Sequence, residues 1–499
     1  MHQRLHALLA FTLALLSLNG AAQPADPADG EARQVILIIG DGMDEQQIAI
    51  ARNYLHGATG NLVLDTLALR SSAQVLTTEN ALNGKPVYVA DSANTATSMA
   101  TGAITSRGRI GTAAGSDAPL ASIAMLAKAA GLRTGIVTTA SVTDATPAAF
   151  VAQINFRLCE NPQRMVDVRY RDIPLGDCSQ HLKARGGRGS ISEQIAESPL
   201  DVVLGGGRQH FTPNAENSDQ SVAALAREHG FRVVHSAAEL ASATPGERLL
   251  GLFAESTLPV RLQGENGRQA EEARPSLLNR LHRYLGSVSL PEPMSCEPNP
   301  SAADVPSLQT MTDTALKQLA ADNTRGFFLM VESASIDKQS HERKPCGSIG
   351  ELQQLDEALA SALDFARAHP RTLILVTADH TQAAQLIPYE SLFSAYPIPI
   401  YPPGKLARII TPEGSHMTVN YATTNFEIEE HTGAAVPLYS NAEGQGRVAA
   451  FVRQPDLFAI MRDYLGLQAQ PEGTGVASEI DPAVQGAQPE LGAAVGEDH

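Results

Sequence analysis

The chain has 499 residues, of which 43% are hydrophobic and 18% are charged, and this globular composition excludes a chain that is disordered throughout. The 54 acidic residues outnumber the 37 lysines and arginines, and the formal charge of −17 disfavours nucleic acid or an anionic membrane surface as a general partner. Tryptophan is absent and aromatic residues make up 5%, which disfavours a surface that stacks bases or sugars.

The N-terminal segment, residues 1–22, has the pattern of a signal peptide. Arg4 precedes the apolar run from Leu8 to Leu18, and small or turn-forming residues follow it as far as Ala22. Because this run is short for a bilayer core of about 30 Å, the pattern favours export with cleavage after Ala22 over a membrane anchor. We therefore expect a periplasmic or secreted protein with no membrane attachment after cleavage.

Composition divides the remaining chain into three parts. Residues 23–32 form a predicted N-terminal arm, residues 33–467 form the body, and residues 468–499 form a predicted flexible acidic tail that contains no lysine or arginine. The body contains four scattered cysteines, Cys159, Cys178, Cys296 and Cys346. In an oxidising compartment they predict two disulfides rather than a zinc-thiolate cluster, and the spacing leaves all three pairings open.

Apolar runs and helical patterns alternate along the body. Five buried strands are predicted at 34–42, 133–140, 201–207, 326–333 and 372–380. Helices are predicted at 121–130, at 310–321 and along an apolar stripe from Ile349 to Leu363. This alternation predicts an α/β three-layer sandwich, with a large, mostly parallel central sheet and helices on both faces.

Three of the predicted strands end in an acidic residue, namely Asp41, Glu332 and Asp379. The carboxyl ends of parallel strands are where ligands bind in open α/β sheets. Three carboxylates gathered there would repel one another unless cations lie between them. The pattern therefore favours metal ligands over the alternative, in which each acid is a helix cap or a turn residue.

Histidines accompany acids at three further places. Asp337 and His341 are four residues apart, which puts them on one face of a helix, while His380 follows Asp379 and His431 lies in the sequence EEHTG. This combination of imidazole and carboxylate ligands suits zinc.

Two more segments offer groups for phosphate chemistry. Asp91 and Ser92 precede a run of small residues that predicts a tightly packed helix, whose N-terminus would favour an oxyanion or a phosphate, although Ser92 could equally serve as an N-cap. Thr146 offers a hydroxyl to a hard cation such as magnesium, and Arg157 offers a planar fork to phosphate oxygens if it is not an ordinary surface arginine.

Five motifs, in chain order, resemble those of bacterial periplasmic alkaline phosphatases. They are DSANTAT, TDATPAA, VESASIDKQSHERKPCG, VTADH and EEHTG, and the resemblance extends from about Val35 to Leu467. It implies hydrolysis of phosphate monoesters at a site with two zinc ions and one magnesium ion. The implied ligands are Asp41, Asp379 and His380 for the zinc that activates the nucleophile; Asp337, His341 and His431 for the zinc that activates water; and Asp41, Thr146 and Glu332 for magnesium.

The resemblance also implies roles for the remaining polar residues. Ser92 is the implied phosphorylated nucleophile, Arg157 the phosphate clamp and Asp91 its orienting partner, while Asp144 and Lys338 are implied to hold the magnesium waters and, through water, the phosphate. The implied disulfides are Cys159 with Cys178 and Cys296 with Cys346, and the implied assembly is a homodimer. Asn94, Ser340 and Gln382 depart from the family pattern, where a small residue, an acid and a histidine are common. These departures bear on activity and metal affinity rather than on the type of reaction.

Two other functions remain as alternatives. A phosphodiesterase or sulfatase of the same superfamily would lack the third metal site, so Thr146 and Glu332 argue against it. A non-catalytic exported protein that binds phosphate or zinc would need no nucleophile, so Ser92 argues against it.

Overall fold

The computed structural model describes residues 32–170, 172–389 and 402–468. The predicted signal peptide lies outside these residues, as do the predicted arm apart from Ala32 and the predicted tail apart from Gln468.

The described residues form strands and helices that alternate through most of the chain. The strands are β1 (Arg33–Gly40), β2 (Leu69–Gln74), β3 (Thr77–Thr78), β4 (Pro86–Val87), β5 (Arg133–Ser141), β6 (Val168–Tyr170), β7 (Ile173–Gly176), β8 (Val202–Gly206), β9 (Arg232–Val234), β10 (Leu249–Leu252), β11 (Leu262–Gly264), β12 (Glu271–Glu272), β13 (Arg274–Pro275), β14 (Val288–Ser289), β15 (Cys296–Pro298), β16 (Gly326–Ser333), β17 (Thr372–Ala378), β18 (Gln385–Ile387), β19 (Lys405–Ile410), β20 (His416–Tyr421), β21 (Val436–Ser440) and β22 (Phe451–Arg453). The α-helices are α1 (Glu45–His56), α2 (Ser92–Thr101), α3 (Ile123–Ala129), α4 (Ala145–Ala148), α5 (Ile191–Ala196), α6 (Val222–Glu228), α7 (Ala237–Ala241), α8 (Leu277–Leu281), α9 (Leu308–Ala320), α10 (Ser335–His341), α11 (Pro345–Ala368) and α12 (Gln454–Tyr464). Short 3-10 turns lie at Val63–Thr66, Pro162–Arg164, Ser179–His181, Lys183–Arg185, Arg208–His210, Glu265–Gly267, Pro300–Asp304 and Ala442–Gly444.

A ten-stranded sheet forms the centre of the body, in the order β22-β2-β21-β17-β1-β16-β5-β8-β10-β9. Its neighbours pair in parallel, except that β21 is antiparallel to both β17 and β2. All five predicted strands belong to this sheet. A smaller antiparallel sheet, in the order β12-β19-β20-β18, was not predicted.

Helices cover both faces of the large sheet. One set comprises α1, α9 and α11, which pack together, and a second set comprises α2, α3 and α12. Members of both sets contact β1 or β16, so these central strands are covered from two sides and are buried along almost their whole length. The apolar runs of the sequence reflect this double burial, and the predicted three-layer architecture is confirmed.

The register of the central strands brings the three acidic strand ends to one edge. β1 lies between β16 and β17, and Ile39 pairs with Glu332 on one side and with Thr377 on the other. Asp41, which follows β1, and Asp379, which follows β17, therefore lie at the same carboxyl edge as Glu332. The candidate active site lies at this edge.

Candidate active site

Ser92 is the first residue of α2, and its side chain is buried at the end of the helix. Asp91 caps the helix by accepting a hydrogen bond from the backbone N–H of Asn94, at 3.1 Å. The Asn94 side chain in turn accepts one from the backbone N–H of Asp91, at 2.9 Å. This reciprocal cap fixes the start of the helix, so the cap is Asp91 and the Ser92 hydroxyl is available for another role.

The first candidate metal group consists of Asp41, Asp379 and His380, whose ligand atoms lie within 4.8 Å of one another. Nε2 of His380 is 3.4 Å from an oxygen of Asp41, 3.4 Å from an oxygen of Asp379 and 3.2 Å from the Ser92 hydroxyl oxygen. The other Asp379 oxygen accepts backbone hydrogen bonds from Gly42 and His380. Within the described part of the chain, nothing donates to Asp41 Oδ1 or Asp379 Oδ2, although both atoms are buried. Two buried oxygens beside an imidazole nitrogen fit a bound cation.

The second candidate metal group consists of Asp337, His341 and His431, again within 4.8 Å. Nε2 of His341 is 3.3 Å from Asp337 and 3.0 Å from Nε2 of His431. The opposite ring nitrogens face backbone carbonyl oxygens, with His341 Nδ1 2.5 Å from that of Glu429 and His431 Nδ1 2.8 Å from that of Ala90. Donation from Nδ1 leaves both Nε2 lone pairs directed at the same point, which is the arrangement of histidine ligands around a metal.

The two metal groups are in contact. The rings of His380 and His431 stack with their centroids 3.6 Å apart. Burial, followed by the charges of Asp379 and Asp337, raises the pKa of Asp41 well above its ordinary value. The site therefore concentrates negative charge that a pair of cations would neutralise.

A third cluster contains Glu332 and Thr146, which the sequence resemblance implies as magnesium ligands. Glu332 accepts a hydrogen bond from the Thr138 hydroxyl, and burial raises the pKa of Glu332 to about 8. Thr146 lies in α4, and its buried hydroxyl faces Glu332 and lowers the pKa of that carboxyl in part. Hydroxyl and carboxylate oxygens are the ligands that a hard cation takes, so these residues also fit a metal.

Asp144 accepts hydrogen bonds from two positively charged side chains. One oxygen of Asp144 accepts from Arg157 Nη2, at 3.0 Å, and the other accepts from Lys338 Nζ. Burial acts against the charge of Asp144, but Lys338 and Arg157 outweigh it and lower its pKa. Arg157 Nη1 also donates to Asp91, at 3.3 Å. Burial opposes the charged form of Arg157 too, but the carboxylates of Asp144 and Asp91 outweigh it and raise its pKa.

The three residues that depart from the family pattern each make defined hydrogen bonds. Asn94 completes the cap of α2 and also donates from its amide to the carbonyl of Leu76, at 3.1 Å. Gln382 donates to Asp337, at 2.6 Å, and so supports a member of the second metal group. Ser340 is buried and makes hydrogen bonds with Gln47 and with the carbonyl of Ile336. Its hydrogen bonds therefore hold α10 against α1.

One buried ion pair beside the site was not predicted from the sequence. Arg343 and Glu429 form a buried ion pair, with Nε and Oε1 2.6 Å apart. They are separated by 86 residues, and although each lies in one of the quoted motifs, neither motif indicates that the two side chains meet.

Both implied disulfides are present, joining Cys159 to Cys178 and Cys296 to Cys346. This choice among the three pairings is confirmed. None of the helices in the described residues is long and apolar enough to cross a membrane.

Known proteins resemble this chain over most of its length. The family model described as "Alkaline phosphatase" matches residues 32–425. The alkaline phosphatase of Escherichia coli strain K12 is 38% identical over 88% of this chain and 88% of its own. Streptomycin-6-phosphate phosphatase of Streptomyces griseus is 38% identical over 93% of this chain and 97% of its own.

Solved structures share the fold. The alkaline phosphatase of Thermus thermophilus aligns with a TM-score of 0.59 and 22% identity, over 92% of this chain and 97% of its own. The alkaline phosphatase of the Antarctic bacterium TAB5 aligns with a TM-score of 0.59 and 20% identity, over 88% of this chain and 99% of its own. These structures share the large sheet and its helical layers.

Proposed function

The chain belongs to the alkaline phosphatase family and is thus a metal-dependent phosphatase of phosphate monoesters, and on this premise we propose that it acts through a phosphoserine at Ser92. The observation that carries the proposal is the position of the Ser92 hydroxyl oxygen. It lies at the N-terminus of α2, 3.2 Å from Nε2 of His380, in contact with the first candidate metal group.

We assign the metals by the chemistry of the donor atoms. Asp41, Asp379 and His380 would hold one zinc ion, and Asp337, His341 and His431 would hold the other, because both groups combine imidazole nitrogen with carboxylate oxygen. Asp41, Thr146 and Glu332 offer oxygen atoms alone and would hold magnesium. When bound, these cations supply positive charge that lowers the pKa of a hydroxyl or a water and offsets negative charge on phosphate oxygens.

The residues then have defined roles in two successive displacements at phosphorus. In the first step, Ser92 Oγ loses its proton and attacks phosphorus in line, the P–O bond to the alcohol breaks, and the alcohol leaves with a proton. In the second step, water loses a proton and attacks the phosphoserine, the bond between Ser92 Oγ and phosphorus breaks, Ser92 Oγ takes up a proton, and inorganic phosphate is released. Arg157 holds two non-bridging oxygens throughout, because Asp91 and Asp144 fix the direction of its fork.

Asp144 and Lys338 would act through water on magnesium and on phosphate. Lys338 remains charged because the carboxylates of Asp144 and Asp41 offset the effect of burial and raise its pKa. A fixed positive charge at this place attracts the phosphate group in substrate and product alike.

We extend the proposal to processing and assembly. Residues 1–22 would be removed on export, residues 33–467 would be the catalytic domain, and the two disulfides suit a periplasmic or secreted enzyme. A homodimer is proposed by analogy with the family, and sedimentation velocity of the purified enzyme would test it.

The decisive experiment compares three substrates with one chromophore. The enzyme supplied with zinc and magnesium should hydrolyse p-nitrophenyl phosphate much faster than bis(p-nitrophenyl) phosphate or p-nitrophenyl sulfate. A preference for either of the latter would favour the phosphodiesterase or the sulfatase alternative. Phosphate or zinc binding without turnover would favour a non-catalytic binding protein. Because one relative is named for a single phosphate ester, streptomycin 6-phosphate belongs in the substrate panel.

A further inference from the structure

An arginine at the end of α10 is buried against a distant loop. Only 3% of the Arg343 side chain is exposed, and Nε donates to Glu429 Oε1, at 2.6 Å, on a carboxylate that is fully buried. The guanidinium also donates to the carbonyl oxygens of Glu427, at 2.7 Å, and Phe426, at 2.8 Å. Arg343 therefore holds the segment 426–429 against the end of α10.

The backbone of Arg343 adopts a conformation that favours glycine. Its φ is 59°, in the left-handed region, where a Cβ atom is unfavourable. A residue with a long side chain persists in such a conformation when the surrounding structure over-determines it. A glycine at this position would relieve the backbone strain but would lose the hydrogen bonds of the guanidinium.

Glu429 connects this ion pair to a candidate metal ligand. Its carbonyl oxygen is 2.5 Å from Nδ1 of His341, and its backbone N–H donates to the carbonyl of His341, at 3.0 Å. The acceptor at Nδ1 sets the tautomer and the ring orientation of His341, and thereby directs Nε2 towards Asp337. His431 follows Glu429 by two residues, so the same segment also carries the second histidine of the group.

We propose that the ion pair between Arg343 and Glu429 consists of positioning residues for the metal site formed by Asp337, His341 and His431. The proposal rests on the proposed function, which assigns these three residues as zinc ligands. The competing explanation is a purely structural role, in which the pair only holds the loop in the fold. A test must therefore measure metal retention as well as activity and stability.

The experiment measures zinc release from the purified holoenzyme into an excess of a chromophoric chelator, without substrate. We expect Arg343→Ala to release one of its two zinc ions roughly 10- to 100-fold faster than the native chain, the range typical for loss of a ligand-orienting contact. Arg343→Lys keeps the charge but lacks the planar fork, and should give an intermediate rate. Glu429→Gln keeps the shape and serves as the milder variant should Arg343→Ala fail to fold.

Arg52→Ala is the matched control. Arg52 forms a two-point ion pair with Asp65, at 2.6 and 2.7 Å, outside the proposed metal groups. The Arg52→Ala substitution should lower the unfolding temperature without changing the rate of zinc release. If Arg343→Ala and Glu429→Gln behave like this control, the positioning role is wrong and the pair is structural.

Failure of the positioning proposal can be distinguished from failure of the proposed function. If the native chain hydrolyses monoesters while all variants release zinc at the native rate, only the positioning proposal fails. If the variants release zinc faster but the native chain hydrolyses no monoester, only the proposed function fails.

Discussion

The hydroxyl oxygen of Ser92 lies 3.2 Å from Nε2 of His380, and both side chains are buried. One residue begins a helix and the other follows the end of a strand, so two rigid elements fix the distance between them. The proposed nucleophile, held in this way, would need little reorganisation before it attacks.

Ser92→Ala should therefore abolish most of the phosphatase activity and leave the metals in place. We expect kcat to fall roughly 1000-fold or more, because the covalent route is lost. Zinc content by elemental analysis should stay at the native value, since Ser92 is not an assigned resting ligand. Thr101→Ala, at the other end of α2, is the control and should retain native turnover. Turnover near the native rate in Ser92→Ala would refute the nucleophile assignment.

Lys338→Ala should weaken inhibition by the product. The ammonium group of Lys338 is held by Asp144 beside the proposed phosphate site, and its removal deletes one positive charge. We expect the inhibition constant of inorganic phosphate to rise about tenfold, which corresponds to about 1.4 kcal/mol. Steady-state inhibition at fixed metal concentration measures it, and an unchanged constant would contradict the role of Lys338.

Asp144→His should change the metal preference of the third site. An imidazole supplies a direct nitrogen ligand, which favours zinc over magnesium, and activity should become dependent on added magnesium. Metal analysis and magnesium titration of activity are the measurements. Asp144→Asn is the control that removes the charge without adding a strong ligand. Native metal content and native magnesium dependence in the histidine variant would exclude the assigned role.

Reduction of the disulfides should lower thermal stability before it affects the metals. Neither bridge supplies an assigned ligand, and each disulfide contributes roughly 2–4 kcal/mol. Calorimetry with and without a phosphine reductant, paired with zinc analysis, tests the order of events. Loss of zinc at temperatures where the reduced protein is still folded would be the contrary result.

The raised pKa of Asp44 predicts that the free energies of unfolding of the native chain and of Asp44→Asn differ by an amount that depends on pH. Burial raises the pKa of Asp44 from 3.8 to about 6, although backbone N–H groups at the start of α1 lower it in part. The protonated form is thus favoured in the folded state, so the contribution of Asp44 to stability is complete below pH 3.8 and is lost as the pH rises through 6. At about 1.4 kcal/mol per pH unit the loss is about 3 kcal/mol.

Asparagine retains a capping oxygen without the charge, and it is also a preferred N-cap. The free energy of unfolding of Asp44→Asn, relative to the native chain, should therefore rise by up to this amount between pH 4 and pH 7. Urea denaturation of both metal-free chains across this range is the measurement. A constant difference would show that folding leaves the pKa of Asp44 unchanged.

The sequence allowed the centre of the molecule to be predicted because its signals are local. The strands before Asp41 and Asp379 are continuous apolar runs, and parallel pairing alone brings their ends to one edge. The reversed direction of β21 leaves no comparable mark, because it depends on pairing between segments that are far apart in the chain. The same is true of Gln382 and Asp337, whose contact exists only once the chain has folded.

The placement of acids on three adjacent strands also has a consequence for biosynthesis. β1, β16 and β17 must pair before the edge exists, and pairing brings Asp41, Glu332 and Asp379 together with their mutual repulsion. A ligand that binds only the folded state shifts the folding equilibrium towards it by mass action. Cells starved of zinc should therefore accumulate less folded protein, and not merely the same amount with lower specific activity.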